Sequence, residues 1–235
     1  MKTTALFIVV LVSSPLAAED VPRAETSCRE LVAQVRPGPS EGKEADDYLE
    51  NADKAYRDCR GAKFPVDIRA KALFKYAIAS AGRKRDQAAI EALREGIGLF
   101  DRATGADREL LIEILDYATF LEISAGLHAD AAAHSKTAVE IRAEKYGPKS
   151  AEVADGLGHL AMVHTSLKEY DKAEALLRDA IQLAEQACGP QCRALVNAYT
   201  GMEVLYREQG NTEEATKYAE LAQNAVPPRR SKRKH

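Results

Sequence analysis

The chain repeats itself every 42 residues, and a period of that length restricts the possible folds more than anything else in the sequence. Tyr146-Gly147-Pro148 stands 42 residues before Cys188-Gly189-Pro190 and 42 after Thr104-Gly105-Ala106; one further step back falls on Ala62-Lys63-Phe64, beside Pro65. Each is a breaker between longer helical patterns. Ala89, Ala131, Ala173 and Ala215 keep the same step. Each follows a short turn: Gly82-Arg83-Lys84-Arg85, Gly126-Leu127-His128, Lys168-Glu169-Tyr170 and Gly210-Asn211-Thr212. Seven residues later stand Gly96, Ala138, Ala180 and Ala222, again all small. Small residues at fixed points let one helix approach the backbone of the next.

Between the breakers the apolar spacing is helical. Leu176-Leu177, Ala180-Ile181 and Ala184 recur at three and four residues. Each repeat therefore reads as a helix, a tight turn, a second helix and a loop. Helices are expected near 66–82 and 85–103, 107–125 and 128–145, 149–167 and 170–187, and 191–209 and 212–225. Ahead of them, 25–36 and 43–61 form one more pair joined by Pro37-Gly38-Pro39. That pair fits the repeat poorly and reads as an N-terminal cap. β-branched runs that would signal strands are absent beyond the first dozen residues, so the fold class is all-α.

The segment Leu160-Ala161-Met162-Val163-His164 followed by Tyr170-Asp171-Lys172-Ala173-Glu174-Ala175-Leu176-Leu177-Arg178-Asp179-Ala180 resembles a tetratricopeptide repeat. Met202, Tyr206, Gly210-Asn211-Thr212-Glu213-Glu214-Ala215 and Ala222 match the next unit. The 42-residue period and the Tyr-Gly-Pro loop are similar to the longer repeats of kinesin light chains. The resemblance covers roughly 66–225. Ser135 and Ala219 depart from it where a large apolar residue is usual, and Glu203 where a small one is.

A single hairpin cannot bury its apolar face, so neighbours stack into a solenoid with a concave surface. The resemblance implies a right-handed α-solenoid whose first helices line the groove and whose ligand is a peptide or another protein. The implied groove residues are Lys71, Phe74, Lys75 and Ile78; Glu113, Asp116, Tyr117 and Phe120; Asp155, His159, Met162 and Thr165; and Asn197, Thr200, Val204 and Arg207. Phe74, Tyr117 and Phe120 would be anchors in a chain with only 6% aromatic residues. Lys71 and Lys75, one turn apart, would suit a carboxylate. The alternatives are a self-associating structural subunit, or an envelope enzyme or redox protein whose site is not visible in the sequence.

The N-terminus reads as an export signal. Lys2 precedes the apolar run 5–12, and Ser13-Ser14-Pro15-Leu16-Ala17-Ala18 supplies small residues for cleavage after Ala18. The run is far short of the ~20 residues needed to span a bilayer. The short leader suggests a bacterial envelope, with the periplasm or secretion as destination. Four cysteines in an exported chain imply disulfides, and of the three possible pairings the local one, Cys28–Cys59 with Cys188–Cys192, is expected.

Setting aside Lys2 and the five Lys and Arg of the tail 227–235 leaves 27 basic against 36 acidic residues, a net of −9. An acidic body argues against nucleic acid as partner. The tail Arg229-Arg230-Ser231-Lys232-Arg233-Lys234-His235 has the opposite sign and suits an anionic envelope surface.

Signals of chemistry are weak. Gly156-Leu157-Gly158-His159-Leu160-Ala161 mimics a dinucleotide-binding motif but lies inside a repeat helix, without the strand such a site needs. Cys188-Gly189-Pro190-Gln191-Cys192 lacks the βαβ setting of a redox pair and reads as a loop staple. No two histidines have the one-turn spacing of a helical zinc site. No catalytic residue, cofactor or metal is expected. The sequence thus divides into a leader 1–18, a helical cap 19–62, a repeat domain 63–226 and a basic tail 227–235.

Overall fold

The computed structural model describes residues 20–35, 43–61, 63–100 and 107–226. The leader 1–18, the Pro37-Gly38-Pro39 link, Ala62, the Thr104-Gly105-Ala106 loop and the tail 227–235 lie outside the described residues. Within them are ten helices and no strand: α1 Asp20–Gln34, α2 Lys43–Cys59, α3 Val66–Gly82, α4 Asp86–Phe100, α5 Arg108–Ser124, α6 His128–Tyr146, α7 Ala151–Ser166, α8 Tyr170–Cys188, α9 Arg193–Glu208 and α10 Thr212–Asn224. No helix among the described residues is long and apolar enough to cross a membrane.

Consecutive helices pair as antiparallel hairpins, and each hairpin stacks on the next. The backbones of the odd-numbered helices also approach one another, α1 to α3, α3 to α5, α5 to α7 and α7 to α9, whereas the even-numbered ones meet only through long side chains such as Tyr56–Glu95 and Arg94–Asp130. Two layers result: odd helices inside, even helices outside, wound as a right-handed solenoid. The landmark residues lie at the layer contacts. Ala89, Ala131 and Ala173 are fully buried, as are Ala138 and Ala180, and Gly96 packs on Ile114. Leu73, Ile90, Leu93 and Ile114 fill the space between α3, α4 and α5.

The tight turn inside each hairpin is built the same way four times. The residue at positions 84, 126, 168 and 210 takes a left-handed backbone: Lys84 (φ 57°), Gly126 (φ 74°), Lys168 (φ 60°) and Gly210 (φ 77°). The next amide then reaches back to close the helix, as Arg85 N–H does to Ser80, Leu127 to Glu122, Glu169 to His164 and Asn211 to Tyr206. Helices α7 and α9 begin two residues later than expected. Ser150 and Cys192 are extended, at φ −97° and −141°, and serve as caps rather than first-turn residues. The Ser150 hydroxyl accepts from Val153 N–H, and Asp107 caps α5 through Glu109 N–H and Leu110 N–H.

α1 and α2 form a fifth hairpin that packs on α3. Cys28 and Cys59 staple it, with Cα atoms 5.7 Å apart, while Cys188 and Cys192, 5.9 Å apart, clip the α8–α9 loop. At the other end Tyr218 is flanked by Tyr206 and Tyr199, with ring centroids 5.6 and 6.2 Å away.

Candidate functional site

The concave face is made by columns of residues 42 apart on α3, α5, α7 and α9. One column is Ile78, Phe120, Met162 and Val204. Its last three members are large apolar side chains left 55%, 41% and 37% exposed. Packing within each hairpin turns this position inward to the groove, where no further layer covers it. The apolar stripe is therefore a property of the repeat register.

Two adjoining hollows run along the stripe. The larger, about 690 Å³, lies between α7 and α9. Asp155, His159, Met162, Thr165, Asn197, Thr200 and Val204 line it, together with Ile123, Leu177, Gly158 and Gly201. The smaller, about 370 Å³, lies between α5 and its neighbours and is lined by Phe74, Glu113, Asp116, Tyr117 and Phe120. Ile123, His159 and Met162 belong to both, so the two are continuous.

Two glycines shape the larger hollow, one by leaving space open and one by admitting Leu177. Gly158 stands in the column of Phe74 and Asp116, and Gly201 in the column of Tyr117 and His159. A Cβ on Gly158 would meet nothing within 4 Å, whereas one on Gly201 would lie 2.5 Å from Leu177 Cδ2. Leu177 belongs to the outer helix α8, yet it reaches the groove floor because position 201 has no side chain. Asn197 Nδ2 donates to Asp155 Oδ1 at 3.0 Å, a rung between equivalent residues of successive repeats.

Between the hollows lies a half-buried ionic knot. The Arg142 guanidinium, from outer helix α6, donates two hydrogen bonds to the Asp116 carboxylate, one of 3.1 Å. His159 Nδ1 is 3.0 Å from Asp116 Oδ1. Burial alone would raise the Asp116 carboxyl, but the His159 and Arg142 hydrogen bonds outweigh it and hold it below the usual carboxylate range. A fully buried acid, Glu122, keeps Oε2 2.9 Å from His134 Nδ1, while its Oε1 has no partner among the described residues.

Four expected groove residues lie outside both hollows. The Lys75 ammonium donates to the Val35 carbonyl under the N-terminal hairpin, and burial lowers its pKa. Ile78 packs against the same hairpin's core. Arg207 pairs with Glu203 one turn away, and Lys71 sits 4.0 Å from Asp107. The hairpin α1–α2 covers the first column, and its docking is not encoded in the repeat. Conversely, Ile123, Gly158 and Gly201 line the hollows outside the expected set, and they share columns with Thr165, Asp116 and His159. Among the described residues no three His, Cys, Asp or Glu side chains cluster as metal ligands, and no cysteine is free.

Comparison with known proteins agrees with this architecture. A family model described as tetratricopeptide repeat matches residues 109–186 and 152–226. No curated protein matches the chain. Among solved structures, BtubC (BKLC) from P. vanneervenii is similar at 20% identity and TM-score 0.56, over 87% of this chain and 73% of that one. A putative kinesin light chain of Podosopora anserina with nearly identical TPR-like repeats aligns at 13% identity and TM-score 0.63, over 87% and 93%. YrrB, described as a TPR protein with an unusual peptide-binding site, aligns at 13% identity and TM-score 0.51, over 90% and 89%.

Proposed function

The chain belongs to the tetratricopeptide repeat family, and from that premise we propose that it is an adaptor of the bacterial cell envelope that holds a peptide or protein segment in its concave groove. One observation carries the reading: Phe120, Met162 and Val204 form an exposed apolar stripe along two continuous hollows. Exposed apolar area concentrated in a concavity marks an interaction surface. YrrB's peptide-binding site lends support from a similar fold. The export leader read from residues 1–18, together with two cysteine pairs at bonding distance, supports an oxidising compartment.

The test is photo-crosslinking from Phe120 in cells, followed by recovery from envelope extracts and mass spectrometry. A reproducible protein partner, lost when Met162 and Val204 are changed to Glu, is the expected result. Crosslinks only to a second copy of the chain would replace the adaptor with a self-assembling subunit. Absence from the envelope fraction would overturn the location.

A further inference from the structure

Building on the groove reading, we propose that the smaller hollow is a receptor for a lysine or arginine side chain. The groove's occupant is then a segment that pairs a basic residue with a bulky apolar one.

The walls of this hollow are aromatic. The chain has five Phe, nine Tyr and no Trp, yet Phe74, Tyr117 and Phe120 converge here. Phe74 and Tyr117 meet edge to face, with centroids 5.8 Å apart and planes at 77°. Phe120 is 55% exposed beside them. An aromatic face attracts a cation through its quadrupole, the more so where water is partly excluded.

Glu113 supplies the counter-charge. It lines the hollow and makes no ion pair or hydrogen bond among the described residues. Burial raises its pKa, and the Glu109 and Asp107 carboxylates raise it further; Lys71 offsets this only in part. The carboxylate thus sits in an excess of negative potential that an arriving cation would relieve. Glu109 is already taken by Lys145 and Tyr146, and Asp116 by Arg142 and His159. Glu113 is the lining carboxylate left to bind.

The larger hollow is different. Arg193 and Lys168 line it alongside Asp155 and Glu208, so its rim has no single sign, while its floor of Met162, Leu177 and Val204 is apolar. Its depth comes from Gly158, beside which the space is open, and suits a bulky side chain. Because the hollows share Met162 and His159, the basic and apolar residues of the guest must be near neighbours. Charge complementarity with an acidic body favours the same guest.

The experiment pans a phage-displayed random dodecapeptide library on the full chain with both disulfides intact. Winners should carry Lys or Arg within a few residues of Phe, Tyr, Trp, Leu or Met. By fluorescence anisotropy, replacing the basic residue of a winner with norleucine should weaken binding about tenfold. Glu113→Gln should cause a similar loss, and the two losses should not add. Glu113→Lys should reverse the preference toward acidic peptides while circular dichroism stays helical. Acidic or uncharged winners that still need Phe120 would overturn the basic-residue assignment and leave the groove reading standing. No winners, or winners indifferent to Phe120→Ala and Val204→Glu, would overturn both. If a peptide copying residues 225–235 outcompetes every winner, the occupant is the chain's own tail, and the assignment to a foreign segment falls.

Discussion

Gly156 on α7 clears the path by which Arg142 on α6 reaches inward. A methyl group at Gly156 would lie 3.3 Å from Arg142 Cδ and 2.9 Å from Val139 Cγ2. The long cationic side chain crosses the layer boundary there to meet Asp116 on α5.

Two glycines separated by one residue should therefore respond in opposite directions to the same change. Gly156→Ala gains helix propensity worth ~1 kcal/mol but must displace Val139 or Arg142, for a net loss of about 1–2 kcal/mol. Gly158→Ala, with open space around it, should gain up to about 1 kcal/mol. Urea midpoints with unchanged slopes would show both, and a loss at Gly158 would mean that the groove floor is closed.

The knot itself should be costly to cut and sensitive to acid. Arg142→Met leaves a half-buried carboxylate facing only His159 and should cost about 1.5–3 kcal/mol. Because the Asp116 carboxyl is held below its ordinary value, its contribution is fully present above about pH 4 and is lost as pH falls through the depressed folded value. Melting temperatures measured from pH 7 to pH 2 should fall more steeply for the native chain than for the Asp116→Asn, Arg142→Met double variant. Parallel curves would remove Asp116 from the acid response.

Along the column 84, 126, 168 and 210, the left-handed backbone favours glycine, and two of the four residues are lysines. Lys84→Gly and Lys168→Gly should each stabilise by about 0.5–1 kcal/mol, while Gly126→Ala should cost about 1 kcal/mol. Guanidinium denaturation would read the signs. A destabilising Lys168→Gly would show that its side chain contributes more than its backbone loses.

With both cysteine pairs oxidised, a thiol titration in denaturant should find no free sulfhydryl. Replacing Cys28 and Cys59 by Ser should cost about 3–4 kcal/mol, and replacing Cys188 and Cys192 about 2 kcal/mol, because the second bridge closes a much shorter loop. The reverse order would point to loss of packing around the short loop rather than of a chain constraint.

The repeat made most of this molecule legible beforehand. Helix positions followed from the 42-residue register because each turn reuses one backbone device, from Arg85 to Asn211. Phe120, Met162 and Val204 were legible as groove residues for the same reason. Lys75 and Ile78 were not, since a hairpin outside the register covers them and only its docking reveals that Val35 captures the ammonium. The Asp116–Arg142–His159 knot joins residues 26 and 43 positions apart on three helices, so no local pattern announces it. Leu177 was hidden more deeply, because what lets it reach under the groove floor is a side chain missing from Gly201.

That gap at Gly201 has a mechanical consequence. Beneath the floor of the larger hollow, Leu177 of the outer helix α8 fills the space that a side chain at 201 would take on α9. The groove floor and the outer wall of the solenoid are thus one joint, closed by a single side chain.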